Sequence, residues 1–453
     1  MKRVVNVVIS VVWCLTIFPA FVGAAADETV ALSREEAGDT NADAKDDTKQ
    51  ELYELKKEVA DLREEVDELK KDKADEKKTG ELDVFWKDGL KIKSTDGAFD
   101  ISLGLLVQND WVFIDEDSET KKRIGDQEDG VEFRRIRFDS LGTIYERYEY
   151  KAMVEVAGGD AKLHDMCVAV RQIPVIGHVQ VGHFKEPFGL DYMIPCKYDT
   201  FMEKSLPSVL APGRNVGAQV GDCYVEDRIT WALGVFRETD DYGRGTREGG
   251  MNATGRLTCL PLYGEEGRRL VHLGMGASYR DPDSVSYSQR PECHLVDKYV
   301  KTSVSDVDRE FLVGPETAAV LGPLSLQSEL FAARCDVSDK GNADFWGWYA
   351  QAGYFLTGEN KAYNKKSAFF VRTKPKKNFL DEDGIGAWEV AARYAYLDLS
   401  DEEVKSGGEM QDVTLGLNWH LNPNIVVSWN YIRAHLEDIG DTDIFAMRLQ
   451  VEF

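Results

Sequence analysis

After its first two dozen residues the sequence has no long apolar run: nothing beyond Val22 approaches the roughly 18 residues that a membrane helix needs. Any membrane entry must therefore be by strands closed into a barrel. Positive charge is short as well. Lys and Arg number 55 against 80 Asp and Glu, a formal net charge of -25, and so acidic a chain repels phosphate backbones, which argues against nucleic acid as a partner. Cysteine is sparse. Of seven, Cys14 lies in the amino-terminal apolar run, and Cys167, Cys196, Cys223, Cys259, Cys293 and Cys335 stand too far apart for a Cys-x-x-Cys metal site or a small disulfide scaffold. Histidines also number seven; His178 and His183, on one strand, should point to opposite faces and so cannot share a metal. An outer-membrane hydrolase would need a clustered Ser/His/Asp set, and the sequence has no Gly-x-Ser-x-Gly elbow, phosphate loop or His-Glu-x-x-His pair. No catalytic residue, metal or cofactor is expected.

At the amino terminus Lys2 and Arg3 precede the apolar run Val4 to Val22 and the small residues Ala24, Ala25 and Ala26. This reads as an export signal, 1–26, cut after Ala26, with a membrane anchor as the alternative. Residues 27–48 are acidic and lack periodicity, as a disordered leader would. Residues 49–79 are expected to form a coiled coil: Leu52, Leu55, Val59, Leu62, Val66 and Leu69 fill a and d of three heptads. Glu51, Glu58 and Glu65 lie at g, and Lys56, Arg63 and Lys70 at e, so opposite charges flank the seam of helices pairing in register. A lone solvated helix is the alternative. Residues 80–94 then read as a linker.

From residue 95 to 453 the period is two. Phe445, Met447, Leu449, Val451 and Phe453 share one parity, and Ala446, Arg448, Gln450 and Glu452 the other. A soluble sandwich alternates in the same way, but runs of about ten residues match a tilted strand crossing a bilayer better than the soluble mean of about five or six. Strands are expected near 98–114, 131–144, 146–157, 162–172, 175–184, 216–225, 228–237, 250–261, 268–280, 316–322, 324–335, 345–358, 385–399, 409–421, 424–437 and 442–453. The fold class is thus an all-β transmembrane barrel of about 16 antiparallel strands. Short turns at Pro174, 225–228, Gly322-Pro323 and Asn422-Pro423 alternate with longer links, as in bacterial barrels. The link 185–215, with four prolines and several aromatics, is long and compact enough to fold inward. The link 359–384 is also long, although parity puts it on the periplasmic side, and it is basic.

Short motifs recur along these strands: Arg134-Arg135-Ile136-Arg137 followed by Gly142, Val179 through Leu190 (VQVGHFKEPFGL), Phe201-Met202-Glu203-Lys204-Ser205 and Pro212 through Gly217 (PGRNVG). Further on come Gly353 through Glu359, Gly386 through Tyr394, and Leu415 through Trp419. In these segments the chain resembles the phosphate-selective porin O/P family of outer-membrane channels. The resemblance implies a sixteen-stranded homotrimer in the outer membrane, narrowed by inward loops, with small anions such as phosphate as solutes. It implies too that the last strand, ending on Phe453, is the signal read by the barrel assembly machinery. The coiled coil would lie in the periplasm.

The charged residues of the pore fit two arrangements. In the first, Arg135, Arg137, Arg393 and Arg448 on the wall, Lys185 and Arg214 at the loop, and the basic run Lys361, Lys365, Lys366, Arg372 and Lys374 form a cationic path for anions. In the second, each wall arginine is neutralised by lumen carboxylates such as Asp139, Glu329, Glu389 and Glu452, leaving a weakly selective pore. A structural tether, with the coiled coil grasping the cell wall, is a third role that the amino-terminal region suggests.

Overall fold

The computed structural model of the chain describes residues 56–66, 82–87, 89–246, 250–338, 341–404 and 407–453, divided into two units between Glu81 and Leu82. In the first unit residues 56–66 are helical, and Val59, Leu62 and Val66 are exposed on that helix. Leu52, Leu55 and Leu69 lie outside the described residues, as do the expected signal and leader.

In the second unit sixteen strands form the barrel: β1 (Phe99–Glu116), β2 (Gly130–Ile144), β3 (Tyr148–Glu155), β4 (Lys162–Ile173), β5 (Gly177–Lys185), β6 (Arg214–Tyr224), β7 (Ile229–Arg237), β8 (Met251–Gly264), β9 (Arg269–Arg280), β10 (Val307–Leu321), β11 (Leu324–Val337), β12 (Gly341–Phe355), β13 (Ala387–Asp398), β14 (Glu409–Asn422), β15 (Ile425–Leu436) and β16 (Gly440–Glu452). Each pairs antiparallel with the next, and β16 pairs with β1 from Thr442↔Glu116 to Glu452↔Leu106, so no strand edge is left open along this seam. Beyond β16, Phe453 and Leu105 exchange backbone hydrogen bonds of 3.0 and 3.1 Å, and the Phe453 ring lies 5.5 Å from that of Trp86. Residues 82–94, expected as a linker, instead form a hairpin, Leu82–Trp86 with Leu90–Ser94, whose second strand pairs with the start of β1. The alternation on either side of the Gly89 turn is that of a strand pair, too short to register as barrel strands.

The outward parity is apolar, with Val413, Leu415 and Leu449 exposed and their neighbours buried inside. Turns at the end where β1 begins and β16 ends are tight: the Asn422 side-chain oxygen accepts from the backbone N–H of Asn424 and Ile425 at 2.8 and 2.9 Å, capping the β14–β15 turn. One strand departs from expectation. β10 begins at Val307 rather than 316, and the link before it, 281–306, carries a hairpin of its own, Ser284–Gln289 with Val300–Ser305. Pro315 is the reason. A proline lacks the donor a ladder needs, and the pairing of β10 with β11 indeed skips from Val313↔Ala332 to Glu316↔Glu329, while the β9 side pairs through it.

Three segments enter the lumen. From one end come 186–213 and 281–306, which pack Phe188, Leu206, Leu210, Tyr287, Val296 and Val300 against inward residues of the wall such as Phe331, Tyr349, Ile432 and Ile444. From the end where β1 begins and β16 ends comes 356–386, whose small hairpin Ala362–Asn364 with Phe369–Val371 places Phe370 in a second apolar cluster with Leu190, Ile194, Leu270 and Val320. The fill is one-sided, so the free space runs along β2 to β6.

Candidate functional site

The segment 186–213 is tied down from its base to its tip. Glu186, fully buried, accepts from Asn215 Nδ2 at 2.7 Å and Arg280 Nη1 at 3.1 Å, and also from the Thr254 hydroxyl. The Phe188 ring then lies over Gly276 and Gly314, where a Cβ on either wall glycine would come within 2.9 and 3.1 Å of it. Any larger residue at these two positions would displace the ring. A short helical turn follows, Leu190–Met193, and its two leading backbone N–H groups donate to Glu329 at 2.6 Å each, a carboxylate placed where a helix start favours negative charge. Asp191 closes the segment on itself by accepting from the Ser205 backbone and hydroxyl at 3.0 and 2.9 Å.

At the tip, Glu203 meets the wall arginines. Arg134 donates to both of its oxygens at 2.8 and 3.0 Å, Arg448 at 2.9 Å and Arg135 at 3.5 Å. Arg448 also forks onto Asp110 at 2.7 Å through two nitrogens. Arg393 binds Glu292 and the Glu203 carbonyl, and its guanidinium lies 4.4 Å from the centre of the Phe201 ring. Strict alternation would turn Arg134 to the lipid. A bulge prevents this: the register of β1 with β2 passes from Gln108↔Arg135 to Asn109↔Phe133, leaving Arg134 as the extra residue, and so Arg134 and Arg135 both face inward. Three arginines in four positions, 134–137, were a sign of crowding that period-two reading could not use.

Between the segment and the wall lies a cavity of about 1360 Å³, lined by β2 to β6, by Tyr192, Met193, Pro195, Cys196 and Lys204, and by Ser367 and Phe369 from the opposite end. Of the expected path residues, Arg135, Arg137, Lys185 and Arg214 line it. Arg393 and Arg448 do not; both are buried in the pairs just described. The basic side chains of the run stay outside it too, although Ser367 and Phe369 between them reach it. Lys361, on the Thr200 hydroxyl, and Arg372, 2.9 Å from Glu452, border a separate polar pocket of about 40 Å³ with Lys197 and Glu389. Lys365 donates to the Glu226 carbonyl at 2.8 Å, and Lys366 and Lys374 are likewise absent from the lining of the large cavity. The partners of the wall arginines are Glu203, Glu155, Glu292 and Asp110 rather than Asp139, Glu329, Glu389 or Glu452, the last of which pairs with Lys197 and Arg372.

Charge along the cavity is mixed. Eight bases line it, Arg134, Arg135, Arg137, Lys151, Lys162, Lys185, Lys204 and Arg214, against six acids, Glu132, Glu149, Glu155, Asp160, Asp165 and Asp241. Arg137 reaches Glu155 at 3.2 Å, Arg214 and Lys151 share Asp165, Lys162 holds Asp241 at 2.9 Å and Lys204 holds Asp199 at 2.6 Å. Lys185 differs. It donates to the backbone carbonyls of Tyr192 and Ile194, its ammonium lies 4.7 Å from the centre of the Tyr192 ring, and among the described residues no carboxylate pairs with it. Cys196 senses the result: burial alone would push its thiol up, yet Arg135 and Arg137 bring it down to about 7.

The comparisons agree with this architecture. A family model described as phosphate-selective porin O and P matches residues 102–453. Porin O of Pseudomonas aeruginosa is 26% identical over 413 residues, 81% of this chain and 91% of that protein. An uncharacterised protein of Caulobacter vibrioides is 30% identical over 350 residues, 72% of this chain and 68% of its own length. Among solved structures, the anion-selective porin from Comamonas acidovorans has a TM-score of 0.52 at 12% identity, covering 78% of this chain and 100% of that one. OmpT of Vibrio cholerae has a TM-score of 0.50 at 12% identity, covering 79% and 98%. A sixteen-strand barrel with an inward segment around a charged cavity, matched along nearly its whole length, places the chain: it belongs to the phosphate-selective porin O and P family, outer-membrane channels and not enzymes.

Proposed function

We propose that the protein is a diffusion channel for small anions, phosphate among them. The observation that carries this reading is the excess of eight bases over six acids along the cavity of a chain whose net charge is -25. Lys185 is the group that meets the solute, because it alone of those bases has no carboxylate partner among the described residues, so that an arriving anion supplies the counter-charge its ammonium form needs. The lowered Cys196 thiol supports a field that favours negative charge at this level. Replacing Lys185 as Lys185→Gln is expected to lower the anion-to-cation permeability ratio, read from reversal potentials in a KCl gradient, by up to about threefold, the ceiling set by removing one unit charge beside the ion path. An unchanged ratio would remove Lys185 from the path. Phosphate should also block chloride current with saturation. If it does not, the weakly selective channel, favoured by the many neutralised arginines, is the better reading.

The channel is read here as a homotrimer in the outer membrane, with the coiled coil of Leu52 to Leu69 in the periplasm. Support comes from the helix over 56–66, whose exposed Val59, Leu62 and Val66 need a covering helix. Cross-linking through cysteines placed at these seam positions is expected to capture trimers from native membranes; monomers alone would sink the clasp.

A further inference from the structure

Glu203 is the point where the inward segment and the arginine wall meet. Its carboxylate fills a nook made by Arg134, Arg135 and Arg448, the last two nine-tenths buried or more, in the way a free oxyanion would. Its own backbone carbonyl takes Arg393, and that of Met202 takes Arg448, so the carboxylate is held in place by the strand of loop that carries it. The only other carboxylate on these three arginines among the described residues is Asp110, paired with Arg448. Three cations less two carboxylates leave one net positive charge at the nook. Without Glu203 two would remain, and Arg134 and Arg135 already line the cavity.

We propose that Glu203 is a specificity-determining residue, a built-in counter-ion that occupies an oxyanion site of the channel wall and thereby limits how strongly the pore prefers anions. Burial by itself would push this carboxyl up, but Arg134, Arg135 and Arg448 outweigh it and hold Glu203 well below the usual carboxylate range, so the counter-ion stays charged across the working pH range of the channel. The ligand class that competes for the nook is a small oxyanion, a carboxylate or inorganic phosphate. The proposal rests on the anion-channel reading for its setting, but its test does not share that reading's outcome.

Reversal potentials are measured for the full chain, Glu203→Gln and Glu203→Asp in the same KCl gradient, each variant first shown to give the heat-modifiable barrel. Glu203→Gln keeps the shape and removes the charge, and is expected to raise the anion-to-cation permeability ratio by about threefold; Glu203→Asp keeps the charge and is expected to stay near the parent value. Inorganic phosphate should block chloride current at lower concentration in Glu203→Gln than in the parent. An unchanged ratio in Glu203→Gln overturns the proposal, and so does an equal shift in both variants, which would mean that Glu203 only positions the segment. A parent channel that prefers cations would overturn the proposed function while leaving the shift between parent and Glu203→Gln to decide this one.

Discussion

Replacing Gly182 by valine is expected to abolish the folded barrel, with no heat-modifiable, protease-resistant species recovered from the outer membrane. Gly182 lies inside β5 with φ at +138°, a backbone conformation essentially reserved for glycine, and holding another residue there costs about 1–3 kcal/mol. Space is the harder limit. A Cβ would stand 2.3 Å from the Met166 carbonyl oxygen and 2.6 Å from the Cys167 Cα, both backbone atoms of β4. They cannot retreat, because Cys167 is paired with Gly182 itself and Gly217 of β6 holds the other side. Relief would require breaking the ladder on both sides in a barrel whose backbone groups have no water to turn to. Gly182→Ala and Gly255→Ala form the matched pair, since the Cβ contacts already apply to alanine. In β8 that Cβ would find ordinary contacts at 3.4 Å, and its φ is unexceptional, so normal barrel yield is expected. Recovery of Gly182→Val at parental yield would show that the β4–β5 pairing is far more pliable than its geometry allows.

Arg448→Ala should produce the second large loss, this time in stability. Arg448 bridges β16 to Asp110 on β1 across the seam that closes the barrel, and reaches Glu203 on the inward segment; both Arg448 and Asp110 are 3% exposed. Truncation leaves the Asp110 carboxylate buried without a counter-charge, which typically costs 3–5 kcal/mol. The temperature at which the compact band converts to the unfolded one on gel electrophoresis should fall accordingly. Removing both charges, as Arg448→Met with Asp110→Leu, is expected to recover most of that loss, since the penalty lies in the orphaned charge more than in the pair. A double variant no better than Arg448→Ala would instead assign the cost to the contacts of Arg448 with Glu203 and the Met202 carbonyl.

How much of this was legible depended on range. Every expected strand has one counterpart in the barrel, because period-two alternation is a property of neighbouring residues and survives whatever the loops do. Where it failed, a local feature masked it: Pro315 hid the first half of β10, and the bulge at Arg134 put two adjacent arginines on one face. The inward course of 186–213 was legible from its length and its prolines. Its endpoint was not, since Glu203 finds Arg448 across 245 residues of sequence.

By itself, then, the sequence determined the number of strands, which parity faces lipid, and which links are long enough to enter the lumen. Those are matters of local spacing and chain length. Only the tertiary structure decided what the inward parity meets. Near Ile432, Ile444 and Phe331 it meets the apolar loops and becomes core; along β2 to β6 it faces the open cavity and carries charge. The same packing decided which bases are neutralised, because an ion pair depends on where two distant segments come to rest, and no spacing rule carries that information. It left Lys185 on carbonyls, kept Lys361, Lys365, Lys366, Arg372 and Lys374 off the lining of the large cavity, and set Glu203 among three arginines.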